Sequence, residues 1–297
     1  MGQGTELPDF DRQWDYDRPD ATEQIFRDLL SAAGDAADAS WRLELLTQIA
    51  RAQGLQRRFA DAHATLDAVE PALPEQPPRV RMRYLLERGR VFTSSGEPEA
   101  AVPLFSEAWQ LGCAHGEDHL AVDATHMLGI AAPAVERLAW NERALALAER
   151  SDQPGARRWI GSLLNNIGWT YHDLGRYDNA LALFTRAVDW REREGKPNDI
   201  RIAHWCVART LRSLGRVPEA LALQQNLRDQ LGATGARDGY VDEEIAECLL
   251  LLGRNEEART HAGAAHATLS TDPWLVANEP ARLQRLQALG DGRFSKI

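Results

Sequence analysis

The stretch LLNNIGWTYHDLGRYDNALALFTRAVDW, Leu163 to Trp190, decides how the rest of the chain is read. It holds two runs whose apolar and small residues recur at helical intervals, joined at Leu174 and Gly175. Its fixed points are Gly168, Tyr171 three residues on, Gly175 at the turn, Tyr177, and then Ala180, Phe184 and Ala187. Glycine supplies the left-handed conformation in which a helix can end, so Gly175 marks the stop of the first run. Small side chains at 168, 180 and 187 would let helix backbones approach closely.

Small residues recur in both directions from Gly168, at Ala50, Gly89, Gly129, Ala208 and Ala246, in steps of 39, 40, 39, 40 and 38 residues. Twelve residues after each of these six anchors stand Ala62, Ala101, Asn141, Ala180, Ala220 and Ala258. Nineteen after come Val69, Ala108, Ala148, Ala187, Leu227 and Ala265. Larger side chains flank the contacts and form the expected core: Phe92, Tyr171 and Leu211 three after an anchor, Phe59, Tyr177 and Val217 nine after. Four turn glycines, Gly96, Gly175, Gly215 and Gly253, fall seven residues after their anchors, where a helix cap is needed. The third unit is the irregular one, with Glu136 at the turn-glycine position and Pro133 before it. No sustained alternation of β-branched and aromatic residues marks a strand, so the class is all-α.

This unit closely resembles a tetratricopeptide repeat, which carries those residue types at those intervals. Its length exceeds the roughly 34 residues of the family pattern and resembles the longer-helix, bacterial members. The resemblance implies a right-handed α-solenoid superhelix of six helix-turn-helix repeats, about thirteen or fourteen helices in all with helical caps. A single domain is expected over residues 1–297: a tail and cap over 1–40, repeats over 41–270 and a second cap over 271–297. Asp20 to Ala33 places Ile25, Phe26, Leu29 and Leu30 on one stripe, and Pro280 to Leu289 turns Leu283 and Leu286 inward, each able to cover a terminal repeat.

In the family the first helix of each repeat lines an inner wall on which equivalent positions form rows. The row after each anchor reads Arg51, Arg90, Ile130, Trp169, Arg209 and Glu247; the row three before reads Thr47, Leu86, His126, Asn165, Trp205 and Glu243. Four after stand Gly54, Thr93, Pro133, His172, Arg212 and Leu250. Asn165, Trp169 and His172 on one helix match Trp205, Arg209 and Arg212 on the next, so the two sets should face one another. Trp and Arg carry interface energy. The expected function is therefore a non-catalytic scaffold or adaptor that holds a protein or peptide through Arg51, Arg90, His126, Asn165, Trp169, His172, Trp205, Arg209 and Arg212. The arginines suggest an acidic or phosphate-bearing partner. The carboxylate clamp of many family members is not reproduced, since only Asn166 matches and His126, Ile130, Ile202 and Cys206 stand at the flanking positions. A regulator that senses a peptide by changing superhelical pitch is the alternative.

The remaining features limit other classes. A net charge of −10 argues against nucleic acid and anionic membrane as partners. The run RVRMRYLLERGR, Arg79 to Arg90, is locally basic but reads as a solvated face with Arg83 and Arg90 in the groove. No segment is long and apolar enough for a span, the first residues are acidic, and Glu6 spoils the Met-Gly lipidation pattern, so a cytoplasmic location is expected. Cys113, Cys206 and Cys248, odd in number and without CxxC spacing, read as free thiols, with Cys113 and His115 in a connection. No nucleophile elbow or phosphate loop is present, and no cofactor is expected. One chemical alternative remains, a metal-dependent enzyme using His119, Asp123 and His126 at i, i+4, i+7.

Overall fold

The computed structural model describes residues 7–34 and 38–293. Met1, Gly2 and Glu6, on which the lipidation reading rests, lie outside the described residues. Among the described residues there are sixteen α-helices, fourteen of them longer than six residues, and no strand. The chain divides into two compact units, Met1–Leu163 and Leu164–Ile297.

In the first unit α1 (Pro19–Ala33) precedes three hairpins: α2 (Ala39–Leu55) with α3 (Phe59–Val69), α4 (Pro78–Ser95) with α5 (Pro98–His115), and α6 (Asp118–Ala131) with α7 (Ala134–Arg150). The first helices α2, α4 and α6 lie side by side. A single turn, α8 (Pro154–Arg157), leads to α9 (Ile160–Asp173), which runs through the boundary between the units. The second unit continues with α10 (Tyr177–Glu194), the hairpins α11 (Pro197–Ser213) with α12 (Val217–Ala233) and α13 (Gly239–Leu251) with α14 (Asn255–Leu269), the short α15 (Pro273–Asn278) and α16 (Pro280–Gly290). These are the six expected repeats and both caps.

The three glycine anchors, Gly89, Gly129 and Gly168, lie directly against a side chain of the second helix of their hairpin, and the alanine anchors Ala50, Ala208 and Ala246 are fully buried. A Cβ placed on Gly89 would lie 2.5 Å from the Phe105 ring, and one on Gly168 would lie 2.5 Å from the Phe184 ring. Sixteen residues after the anchor, glycine is matched by a buried phenylalanine in both of these repeats, while Ala50 is matched by the smaller Leu66. The gap between helices is thus filled by a large side chain on one side only. The alanines at 62, 101, 180, 220 and 258 are fully buried, and so are Ala108, Ala148 and Ala265. In the fifth repeat the large-residue position holds Gln224, which is fully buried with neither amide atom hydrogen-bonded. Among the expected flanking core residues Leu211 is buried, whereas Phe59, Phe92, Tyr171, Tyr177 and Val217 are half-buried at the edge.

The turns follow the same register. Gly96, Gly175, Gly215 and Gly253 have φ of 95°, 71°, 76° and 71°. Arg57 takes the equivalent position in the first repeat with φ 61°, a left-handed conformation held without glycine. In the third repeat the chain instead leaves α6 extended at Ala132, and Pro133 opens α7.

At the first cap, Phe26 is buried against Phe10, Leu45 and Ile49, with Leu29 and Leu30 beside it. Ile25, expected on that stripe, is 39% exposed instead, because adjacent helix positions point about 100° apart and Phe26 takes the inward direction. At the other cap Leu283, Leu286 and Leu289 cover Ala262 and Ala265. Cys113 and His115 are not in a connection but in the last turn of α5.

Two substitutions on α12 should move stability in opposite directions. Gln224→Leu removes an unpaired buried amide and should raise the unfolding free energy by about 1–2 kcal/mol. Ala220→Leu forces an isobutyl group into a close helix contact and should lower it by about 1–3 kcal/mol. Thermal unfolding reads both, and an Ala220→Leu protein that melts with the wild type would show the register to be wrong.

Candidate functional site

Of the six residues expected to face one another in the second unit, Trp169 and Trp205 meet directly and Ser213 bridges His172 and Arg209, whereas Asn165 bonds Cys206 and Arg212 pairs with Glu244. The Trp169 ring lies 5.0 Å from His172, 5.2 Å from Phe184 and 5.9 Å from Trp205. Trp205 in turn meets the edge of Tyr240 at 6.3 Å and donates its indole N–H to the Tyr240 carbonyl at 3.2 Å. The Ser213 hydroxyl oxygen lies 2.9 Å from His172 Nε2 and accepts from Arg209 at 2.6 Å, which ties the two first helices together. Burial, and then the nearby Arg209, lower the affinity of His172 for a proton. The Cys206 thiol donates to Asn165 at 3.4 Å, and burial pushes that thiol up to about 12, so it stays protonated.

The arginines behave differently from their sequence reading. Glu244, itself buried, takes Arg209 at 3.1 Å and Arg212 at 2.7 Å. In the first unit Glu87 takes Arg51 at 3.4 Å and Arg90 at 2.6 Å, while Arg90 also reaches Asp123 at 2.5 Å. The same arrangement recurs in both units: the arginine after one anchor meets a glutamate two residues before the next. Each arginine of the Arg79–Arg90 run is likewise paired: Arg79 with Glu44 and Glu117, Arg81 with Glu107, Arg83 with Asp11 and Glu44, Arg88 with Asp67. A face whose cations are already matched by carboxylates offers little net attraction to an anion.

His119, Asp123 and His126 do not assemble as metal ligands. Asp123 is held by Arg90, and the His126 ring packs on Trp159 at 5.1 Å. Among the described residues no group of three His, Cys, Asp or Glu is placed to share an ion. His119 and Asp123 instead line a polar cavity of roughly 480 Å³ in the first unit, together with Asp11, Trp14, Arg51, Arg83 and Glu87.

A second cavity, of roughly 520 Å³, opens beside the aromatic residues of the second unit. Ile202, Trp205, Tyr240 and Leu269 line it, and the Arg201–Asp238 ion pair stands at its edge. Tyr240 was absent from the sequence reading and Ile202 entered it only as a mismatch to the carboxylate clamp, because both occupy a row six residues before their anchors. That row falls on the same helix face and could have been found by extending the i, i+3, i+4 spacing one turn back. Among the described residues no helix is long and apolar enough to cross a membrane.

The family model for the tetratricopeptide repeat matches residues 161–194. The structure is similar to that of apo RapI, with a TM-score of 0.78 at 9% identity, covering 98% of this chain and 81% of that one. Residues 161–194 are a tetratricopeptide repeat, and the chain shares the fold of these repeat structures. Its tetratricopeptide fold is also similar to the apo form of the quorum sensor NprR from B. thuringiensis, with a TM-score of 0.64 at 15% identity over 98% of this chain and 82% of that one. NprR in complex with its cognate peptide NprX gives a TM-score of 0.51 at 15% identity over 100% of this chain and 87% of that one. No curated protein matches the sequence.

His119 provides a pH test of the repeat geometry around the first cavity. Burial, followed by the charges of Arg79 and Arg83, lowers its pKa from 6.5 to about 4. Because the folded value is the lower one, the unfolded chain takes up the proton first as pH falls. Stability is therefore full above about pH 6.5 and declines toward pH 4. Over that window the wild type should lose up to about 3 kcal/mol more than His119→Gln, measured by urea unfolding at each pH.

Proposed function

We propose that this repeat protein binds a peptide, or an extended segment of a partner protein, along the first-helix face of its fourth to sixth repeats. The observation that carries the reading is the row Trp169, Trp205 and Tyr240, three aromatic rings from three successive first helices, each next to the following one. None of the three is buried, and Tyr240 remains 37% exposed. Helix packing alone gives no reason to keep three large rings at a surface, whereas partly covered aromatic rings beside a cavity are what a binding hot spot requires.

Asn165, His172, Arg209 and Arg212 border this row, and Ile202 extends it into the cavity. The ion pairs of Arg209 and Arg212 with Glu244 favour a partner chosen by apolar side chains and backbone hydrogen bonds over one chosen by negative charge. Arg51, Arg90 and His126 belong to the first unit, where they hold Glu87, Asp123 and Trp159, and they take no part in this row. The complex of NprR with its cognate peptide supports the reading by likeness of fold. The proposed role is binding without catalysis.

Selection of random displayed peptides against the full chain supplies a ligand, and calorimetry of an enriched peptide supplies the measurement. Trp205→Ala and Tyr240→Ala should each weaken it by roughly 30-fold, about 2 kcal/mol. Gln225→Ala, on the exposed side of α12, should leave it unchanged. Equal affinity in wild type and both aromatic variants would place binding on another face.

A further inference from the structure

The segment ahead of α1 is seated on the first-helix face of the first two repeats. From Leu7 to Asp17 only Phe10 is buried; Leu7 and Trp14 are half-buried and the other residues are exposed. The Phe10 ring meets Phe26 at 6.3 Å and Trp41 at 6.0 Å, with the Arg83 guanidinium 5.3 Å above it. Arg83, 5% exposed, donates both terminal nitrogens to the Asp11 carboxylate. Trp14 stacks on Tyr16 at 4.8 Å, donates to Gln48 at 3.1 Å, and shares the Arg51 guanidinium with Tyr16 at 5.5 and 5.2 Å.

The hold is made by side chains. Among the described residues the main-chain bonds of this segment run within it, to the Thr22 hydroxyl and to the Trp41 indole, and none joins it to the main chain of a repeat helix. Such a segment can be exchanged without unmaking any hairpin. The receiving face cannot be left empty as easily: Arg83 keeps Glu44 at 2.7 Å, but both terminal nitrogens of this buried guanidinium would lose the Asp11 carboxylate. The contact is also incomplete: Asp11, Trp14 and Tyr16 roof the polar cavity, and beneath them Glu87, 2% exposed, has one carboxylate oxygen without a hydrogen-bond partner.

We propose that this face is a second docking site, specific for an acidic–aromatic peptide with Phe-Asp in a short 3-10 turn followed three residues later by Trp, and that residues 10–16 of the chain, whose Phe10–Gln13 form such a turn, occupy it until such a peptide displaces them. Arg83 reads the aspartate, the socket of Phe26 and Trp41 takes the phenylalanine, and Gln48 with Arg51 takes the tryptophan. The proposal stands on the first unit alone and does not depend on the aromatic row of the second.

The probe is a fluorescent synthetic peptide of sequence LPDFDRQWDYDR, residues 7–18. Its anisotropy is measured with the full chain and with a full chain carrying Phe10→Ala and Asp11→Ala, which frees the face. The peptide should bind the freed chain at least roughly tenfold more tightly than the wild type, whose own segment competes. Adding Arg83→Ala should abolish binding, and adding Trp205→Ala should not alter it. A freed chain that unfolds as cooperatively as the wild type yet does not bind, or equal binding to both chains, overturns the proposal. Asp11→Asn in the otherwise unchanged chain gives an independent reading: tryptic cleavage after Arg12 should accelerate several-fold. Cleavage at the wild-type rate would show that Arg83 does not hold the segment and would equally overturn it.

Discussion

The structure depends on one close approach, between a residue with little or no side chain on the first helix of a hairpin and a larger side chain on the second. At Gly89 and Gly168 there is no room for even a methyl group, because a phenylalanine ring occupies it. This contact fixes the rotation of each first helix about its axis. The rotation then determines which rows face the neighbouring hairpin and which are left on the surface. Only the rows left over present side chains to a partner, so the packing contact indirectly decides which residues are available for binding.

Within each unit those surface rows interact mostly with one another. Arg51 meets Glu87 and Arg209 meets Glu244 across neighbouring repeats, and the guanidiniums are thereby matched inside the protein. The aromatic residues Trp169, Trp205 and Tyr240 have no such complete match and keep part of their surface exposed. The difference between a satisfied charge and an unsatisfied apolar surface is the ground on which we assign the proposed recognition surface to the second unit even though that face is not electropositive.

The repeat was legible because small residues at a hairpin contact have a single physical cause and recur at a nearly constant step. Gly96, Gly175, Gly215 and Gly253 were legible for a similar reason, while Arg57 gave no sign of its left-handed turn, since an arginine carries no conformational signature. Asn165, Trp169 and Trp205 could be placed together because they share slots on adjacent first helices. The neutralisation of Arg209 and Arg212 was not visible when rows were read singly: Glu244 lies in a different row and pairs across a repeat boundary. The seating of residues 10–16 was hidden more deeply. That segment has no periodicity, and its composition reads only as acidic until Arg83 is placed beside Asp11.

The pairing between successive repeats also encodes their order. Arg51 in the first repeat needs a carboxylate two residues before the next anchor, and Glu87 provides it. In the third repeat the same position is Met127, so a third repeat transplanted behind the first would set a methionine against that guanidinium. These hairpins share one packing plan yet are not interchangeable bricks. Their charges act as an address, telling each repeat which neighbour it must follow.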